Sequence, residues 1–260
     1  MPGPVAVRLI QTDDEYAACE AMSRDVWGAA ERNVVPRELL KTMQLNGGVV
    51  AGAFTADGRL AGFVFGFLGQ RDGRLRLCSH QLGVLPEFRD RGLGLALKQL
   101  QRERSLELGY DLITWTFDPL EAKNAYLNLQ RLGAIARLYD RNHYGDMEDE
   151  LNRGVPSDRF EAEWWILNPH RGPDHRPAEA TVLLQVGRNG EPEPGTGQPR
   201  ADRPALIGVP VDFQAVKRAD LALARRWRLE SRAAFERALQ AGLCAAGFLR
   251  DGWYVMDRIP

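Results

Sequence analysis

The chain predicts an α/β fold of the α+β mixed-sheet kind: a twisted, partly antiparallel sheet with helices on both faces. Three observations carry this expectation. Apolar runs at 49–54, 60–68 and 75–84 are joined by Asp57-Gly58 and Asp72-Gly73, dipeptides that favour tight hairpins, so these strands are antiparallel neighbours. The third run passes through a charged turn into a helix and then another apolar run at 111–117, the strand–helix–strand order of a crossover. Helical patterns also precede the first hairpin and follow the last of these strands, which supplies helices for both faces.

Taken in order, Val5 to Ile10 reads as a short strand. Thr12 with Glu15 three residues on is a capping-box pattern, opening a helix that runs to about Trp27. Pro36 opens a second helix, Arg37 to Gln44, which Gly47-Gly48 ends. After the three hairpin strands, the helix beginning at Gly92 reaches about Leu108 and stops at Gly109. Asp111 to Phe117 is a strand rich in Ile, Thr, Trp and Phe. Glu121 to Leu132 is a helix closed by Gly133, and Ala134 to Asp140 a further strand. Asn152 to Phe160 reads as a loop before a strand at Glu163 to Leu167. The stretches 170–177 and 187–204 are dense in Gly, Pro, Arg and Glu and read as loops or hairpin tips. Strands are expected at Ala180 to Val186 and Ala205 to Val211. A long helix follows, Asp220 to Ala241, with Leu221, Ala224, Trp227, Ala234, Phe235 and Leu239 on one face. Leu243 to Leu249 and Trp253 to Met256 make a last hairpin around Asp251-Gly252.

Bulk properties narrow the function. At 260 residues the chain is long enough for one large domain or two small ones. A net charge of -1 gives no basic excess for a nucleic-acid footprint. No apolar run approaches the ~20 residues of a membrane span, and the N-terminal residues lack the basic and apolar regions of a signal peptide. Cys19, Cys78 and Cys244 are scattered without CxxC spacing, and the four histidines lack ligand spacing, so neither a disulfide framework nor a metal site is expected. A reducing cytoplasm is the expected location, with no nucleic-acid or membrane partner.

The most informative segment is Leu82 to Leu97, LGVLPEFRDRGLGLAL. A strand ends near Val84, a charged turn follows, and glycines at 92 and 94 open a helix. Bare main-chain N–H groups and the positive end of a helix dipole then converge on one point, which suits a phosphate. The glycines alone leave a ligand-free junction equally open. A dinucleotide fingerprint needs a third glycine where Leu97 stands, and no Gly-Lys-Ser/Thr of a P-loop follows Gly94. The pattern Arg89-x-x-Gly92-x-Gly94, after a strand ending Leu-Gly-Val-x-Pro, instead resembles the acyl-CoA-binding motif of the GNAT (Gcn5-related N-acetyltransferase) superfamily.

That resemblance covers topology across roughly residues 1–145. It implies a GNAT acyl-CoA N-acyltransferase fold, with a core at 1–168 and a C-terminal extension at 169–260. The extension, a strand–helix–strand–strand unit, echoes Asp111 to Tyr139 and resembles a partial second GNAT half; an unrelated α+β extension is the alternative. Trp115 to Leu120, Asn124 to Leu129 and Ser157 to Phe160 resemble a bacterial branch of the superfamily that carries such an extension. Some members of that branch are thought to acylate amino acids, including with succinyl groups. The resemblance also implies that the N–H groups of Arg91, Gly92, Leu93 and Gly94, with Arg89 alongside, hold the pyrophosphate of coenzyme A. Leu82, Gly83 and Val84 would hold the pantetheine arm, and a main-chain N–H near Leu82 or Gly83 would polarise the thioester. Acetyl-CoA or another acyl-CoA such as succinyl-CoA is the implied co-substrate.

Acyl transfer to an amine also needs a route for two protons. His80 and Gln81, expected on opposite faces of their strand, are candidates to relay a proton or orient the amine. Many GNAT proteins carry a tyrosine four residues before the glycine ending the fourth helix; here that position is Leu129. Tyr126, Tyr139 and Tyr144 are the candidate replacements, each equally readable as packing. Asn124 and Asn128, at i and i+4, are expected on one helical face where they would bind pantetheine amides or the acceptor, or merely cap and face solvent. Asp118, Arg141, Asp158 and Arg159 are candidates for holding the acceptor, with a buried ion pair as the competing reading. Lys98 and Arg102 would reach the outer phosphates or else line a solvated helix face. The expected protein is an N-acyltransferase acting on a small-molecule amine, an amino acid among the candidates, by direct attack in a ternary complex, as a monomer or homodimer. The alternatives are a non-catalytic acyl-CoA-binding or regulatory module, and a nucleotide-binding α/β protein.

Overall fold

The computed structural model describes residues 4–27, 34–145 and 153–259; Met1 to Gly3 and Asn152, on which the sequence reading touched, lie outside them. The chain divides into two compact units, Met1–Trp115 and Thr116–Pro260.

In the first unit, β1 (Val5–Leu9) leads to α1 (Asp13–Trp27). The capping box forms: the Glu15 N–H donates to Thr12 Oγ1 and the Glu15 carboxylate accepts from the Thr12 N–H, each at 3.3 Å. The same carboxylate accepts from the Gln11 N–H at 2.7 Å and from both terminal nitrogens of Arg8 at 2.6 and 3.1 Å. The Arg8 bonds above all pull the Glu15 pKa from 4.5 to about 2. A carboxylate depressed in the folded state stabilises fully above pH 4.5 and loses that contribution as the pH falls toward 2. Glu15→Gln is therefore expected to remove about 1 kcal/mol at neutral pH, because solvent screens a part-exposed ion pair. It should also flatten the acid limb of a plot of urea midpoint against pH; a limb identical to wild type would refute the assignment.

Pro36 precedes α2 (Arg37–Leu45), its carbonyl accepting the Leu40 N–H at 3.1 Å. The hairpin strands follow: β2 (Val49–Thr55), β3 (Leu60–Arg71) and β4 (Arg74–Val84). β1 pairs antiparallel with β2, β2 with β3, and β3 with β4. After α3 (Leu93–Glu107), β5 (Leu112–Phe117) returns parallel to β4. One face of this sheet buries Phe63 and Phe65 with Tyr16, Met22 and Leu40 of α1 and α2; the other buries Val64 with Leu93 and Leu97 of α3. Helices thus cover both faces, as expected.

The second unit departs more from expectation. The predicted regular helix at 121–132 is a single α turn, α4 (Ala122–Ala125), widened into a π-helical turn over Tyr126–Arg131. Gly133 ends it with φ +75, and a Cβ there would collide with the His170 carbonyl oxygen. β6 (Ile135–Asp140) pairs antiparallel with β7 (Arg159–Trp165), which begins four residues before the predicted strand because Phe160 turns inward onto Phe235. β8 (Thr181–Val186), β9 (Pro192–Pro194) and β10 (Ala205–Gly208) come next. β9 lies in the stretch read as loop or hairpin tip, and it forms a hairpin with β8 in which its prolines sit on an edge strand. α5 (Phe213–Ala219), capped by Asp212, was unforeseen.

α6 (Leu221–Gln240), capped by Asp220, and the hairpin β11 (Cys244–Leu249) and β12 (Trp253–Asp257) complete the unit. α6 buries Ala224, Trp227, Ala234 and Phe235 as predicted, but also Arg228, Ser231 and Ala238, while Leu221 stays 39% exposed. β8 pairs parallel with β10, and β12 lies between β10 and β11, antiparallel to both. The parallel pair followed by helix and antiparallel hairpin repeats the core's order, yet no helix joins β8 to β10, so this half has no counterpart of α3. β6 also pairs with β11 at Ala136 and Ala245. β6 and β7 therefore pack with the C-terminal elements, and the compact units divide at 115/116, whereas the sequence sets the expected core boundary at 168.

Candidate functional site

The junction after β4 is built as the glycines suggested. Pro86–Phe88 forms a 3-10 turn whose Phe88 is buried under the Arg59 and Arg91 guanidinium groups. Gly92 then caps α3 in the left-handed region, φ +79, with no side-chain cap and no acidic residue in the first turn. A Cβ on Gly92 would meet nothing within 4 Å, so the space above the turn is open. The first intrahelical bond runs from the Ala96 N–H to the Gly92 carbonyl, so the N–H groups of Gly92, Leu93, Gly94 and Leu95 are the helix-initial set that has no intrahelical partner. That set starts one residue after the expected Arg91–Gly94 set. Arg89 is exposed, and its Nε donates back to the Val84 carbonyl at 3.1 Å.

β4 and β5 pair at Leu77 with Ile113 and at Cys78 with Thr114. Beyond that point Ser79 and Gln81 to Val84, including Leu82, Gly83 and Val84, pair with β3 but not with β5. One edge of β4 therefore lies open, leading from the fork of the two strands to the α3 N-terminus.

A bulge marks the fork. Phe65 and Gly66 are adjacent on β3, but oppose Gln81 and Ser79 on β4, leaving His80 as the extra residue. The bulge overturns the expectation that His80 and Gln81 face opposite ways. His80 packs its ring against Phe65 and Phe67, centroids 5.3 and 6.2 Å away, and Gln81 Oε1 accepts from Ser23 Oγ of α1 at 3.4 Å, so both lie on the α1/α2 face. His80 is open to solvent on one side, but its apolar wall desolvates the cation and lowers its pKa below 6.5.

Lys98 is not at the outer phosphates. It is 2% exposed on the face of α3 that meets β4, a position hidden in the sequence because its helix shows little polar segregation.

Other candidates fall in the second unit. Tyr126 carries the Arg250 guanidinium 5.0 Å from its ring and lines a cavity of about 440 Å³ with Gln130, His175, Phe248 and Asp251. Tyr139 donates its hydroxyl to Asp158 at 2.7 Å; burial and then the Asp158 charge push its pKa far up. Tyr144 shares a hydrogen bond with Thr116 Oγ1 at 2.9 Å. Asn124 is exposed and Asn128 buried, so the widened helix breaks the expected shared face. Asp118 accepts from Arg228 at 2.5 Å and Arg159 at 3.4 Å. Arg141 makes a two-pronged pair with Glu236 at 2.5 Å, and Asp158 accepts from Arg232 through both oxygens at 2.8 Å. The proposed acceptor-binding residues are thus engaged within the protein, and sequence reasoning missed the partners Arg228, Arg232 and Glu236. Among the described residues no cluster of three His, Cys, Asp or Glu side chains forms a metal site, and no helix is long and apolar enough to cross a membrane.

No protein-family model matches the chain, and no curated protein matches its sequence. Solved structures do match in fold. Aminoglycoside 6'-acetyltransferase type Ii aligns over 63% of this chain and 98% of its own, at 16% identity and a TM-score of 0.50. An acetyltransferase of the GNAT family from Streptococcus pneumoniae covers 62% and 98% at 15% identity and 0.48, and a chain of the NatC complex bound to Gag peptide and CoA covers 61% and 96% at 14% and 0.48. The first of these, nearly whole against under two thirds of this chain, identifies the architecture: the protein has the fold of the GNAT acetyltransferases, with a further region beyond it.

Proposed function

We propose that the chain is an acyl-CoA-dependent N-acyltransferase that moves an acetyl or succinyl group to the amine of a small molecule, an amino acid among the candidate acceptors. The observation that carries this is the open edge of β4 between the strand fork and four uncapped N–H groups at the start of α3. A diphosphate fits those N–H groups and the positive helix end. Pantetheine amides fit the open strand edge as an added strand would. A main-chain N–H near Leu82 or Gly83 would polarise the thioester carbonyl. The amine approaches on the α1/α2 face, where His80, neutral at pH 7 because burial lowers its pKa, accepts a proton directly or through water. The amine then attacks the thioester carbon, the carbon–sulfur bond breaks, and the thiolate takes a proton from water, since a thiol pKa near ~8.5 demands no strong acid. Leu129, wholly buried, supplies none.

Leu129 also favours a second reading, a module that binds acyl-CoA without turnover. Thermal shift with CoA, NAD and ATP, followed by thiol release from acetyl-CoA and succinyl-CoA over an amine panel, decides the matter. Stabilisation by CoA alone, with thiol release for at least one amine, is the expected result. CoA binding with no turnover across the panel would favour the binding module, and no CoA binding would overturn both.

A further inference from the structure

The fork between β4 and β5 has no cause in the strands' own composition. No proline interrupts residues 79–84 of β4 or 115–117 of β5, yet the ladder between them stops at Cys78 and Thr114. Ser79 and Trp115 are the next residue on each strand. The bulge against β3 bends β4 at the same place, since Ser79 is the last position before the extra residue His80.

One side chain touches both diverging residues. Lys98 of α3 is 2% exposed, and its Nζ donates to Ser79 Oγ at 2.7 Å and lies 3.9 Å from the ring centre of Trp115. Gln101, fully buried one turn on, turns its Oε1 to the same ammonium at 3.2 Å, although this leaves its own Nε2 without a hydrogen-bond partner. A methionine would fill this space without a buried charge, but it would hold neither arm by a directional contact.

We infer that Lys98 is a positioning residue: its ammonium, bonded to Ser79 and stacked on Trp115, fixes the spacing of β4 and β5 at the apex and so keeps the edge of β4 open for the pantetheine arm. The inference rests on the acyl-CoA reading above and goes beyond it in naming what maintains the open edge.

The contact depends on the proton. An aromatic face attracts an ammonium and not a neutral amine, and the bond to Ser79 weakens without the charge. Burial is the sole cause that brings the Lys98 pKa down to about 7. The side chains that face it, Ser79, Gln101 and Trp115, do not titrate near neutrality. Cys78 and His80 beside Ser79 on β4, and Arg102 on α3, lend no charge to that shift, and β5 carries no ionisable side chain. The protonated form therefore binds CoA better, and by linkage bound CoA favours the proton. Affinity is full below the free protein's pKa and falls as the pH rises through about 7.

Calorimetric titration of the full chain with free CoA at pH 6, 7 and 8, in two buffers of different ionisation heat, tests this. Wild type is expected to take up part of a proton per CoA at pH 8, where the phosphates of CoA have already ionised. Its affinity should fall by up to about ten-fold more between pH 6 and 8 than that of Lys98→Met, one pKa unit being a factor of ten. At pH 6 the variant should bind CoA about ten-fold more weakly than wild type while melting no lower, a split that a purely structural lysine would not give. Absence of proton uptake by wild type at pH 8, a measurement that needs no variant, would overturn the inference. Wild-type affinity in Lys98→Met at pH 6 would do the same. If free CoA fails to bind wild type at any pH, the acyl-CoA reading falls, and the role of Lys98 with it.

Discussion

Asp118→Ala is expected to destabilise the second unit by about 3–5 kcal/mol, the scale for stranding one partner of a buried ion pair. Arg228 is 1% exposed, its Nε and Nη1 have no hydrogen-bond partner, and Asp118 Oδ2 is the carboxylate that answers it through Nη2. Asp118 is held in turn by the Leu120 N–H at 2.8 Å and by Arg159. Removing the carboxylate leaves a guanidinium beside Phe213, Tyr139 and Tyr254 with no hydrogen-bonded counter-charge, only the longer-range fields of Asp158 and Glu121. Urea unfolding of Asp118→Ala against the double variant Asp118→Leu/Arg228→Met is the measurement. The double variant should recover most of the loss, because replacing both charges by apolar groups of similar volume is often neutral. A single variant as stable as wild type would mean that the pair carries no structural weight, and would return Asp118 to the set of groups available to an acceptor.

Gly92→Glu should abolish CoA binding while the chain still folds. The helix-cap residue holds φ +79, a conformation that costs a non-glycine residue roughly 1–2 kcal/mol, and no atom lies within 4 Å of a Cβ there, so the new side chain fits. Its carboxylate then occupies the point on which the N–H groups of Leu93, Gly94 and Leu95 converge. Like charges in one site cost several kcal/mol, which corresponds to a loss of about a hundred-fold or more in affinity. Gly92→Ala separates charge from backbone strain: it carries the same conformational penalty and should keep CoA affinity within a few-fold. Calorimetry on the three proteins, with circular dichroism to confirm folding, makes the comparison. Unchanged CoA affinity in Gly92→Glu would place the diphosphate elsewhere.

What the amino-acid order determined by itself was local. Asp57-Gly58 and Asp72-Gly73 set the hairpins, Thr12 and Glu15 the cap of α1, and Gly92 and Gly94 the bare start of α3, because each depends on backbone preferences within a few residues. The open edge of β4 was legible only through family resemblance. Tertiary structure decided the rest, because each deciding partner is far away in sequence. The register between β3 and β4 created the bulge that turns Gln81 to the side of His80. Packing of α3 on β4 buried a lysine that its helix would otherwise offer to solvent, 19 residues from the serine it meets. Arg228 lies 110 residues from Asp118, so no motif links them. Short-range conformational energies are written residue by residue; which charge is buried, and against what, is settled only when distant segments close on one another.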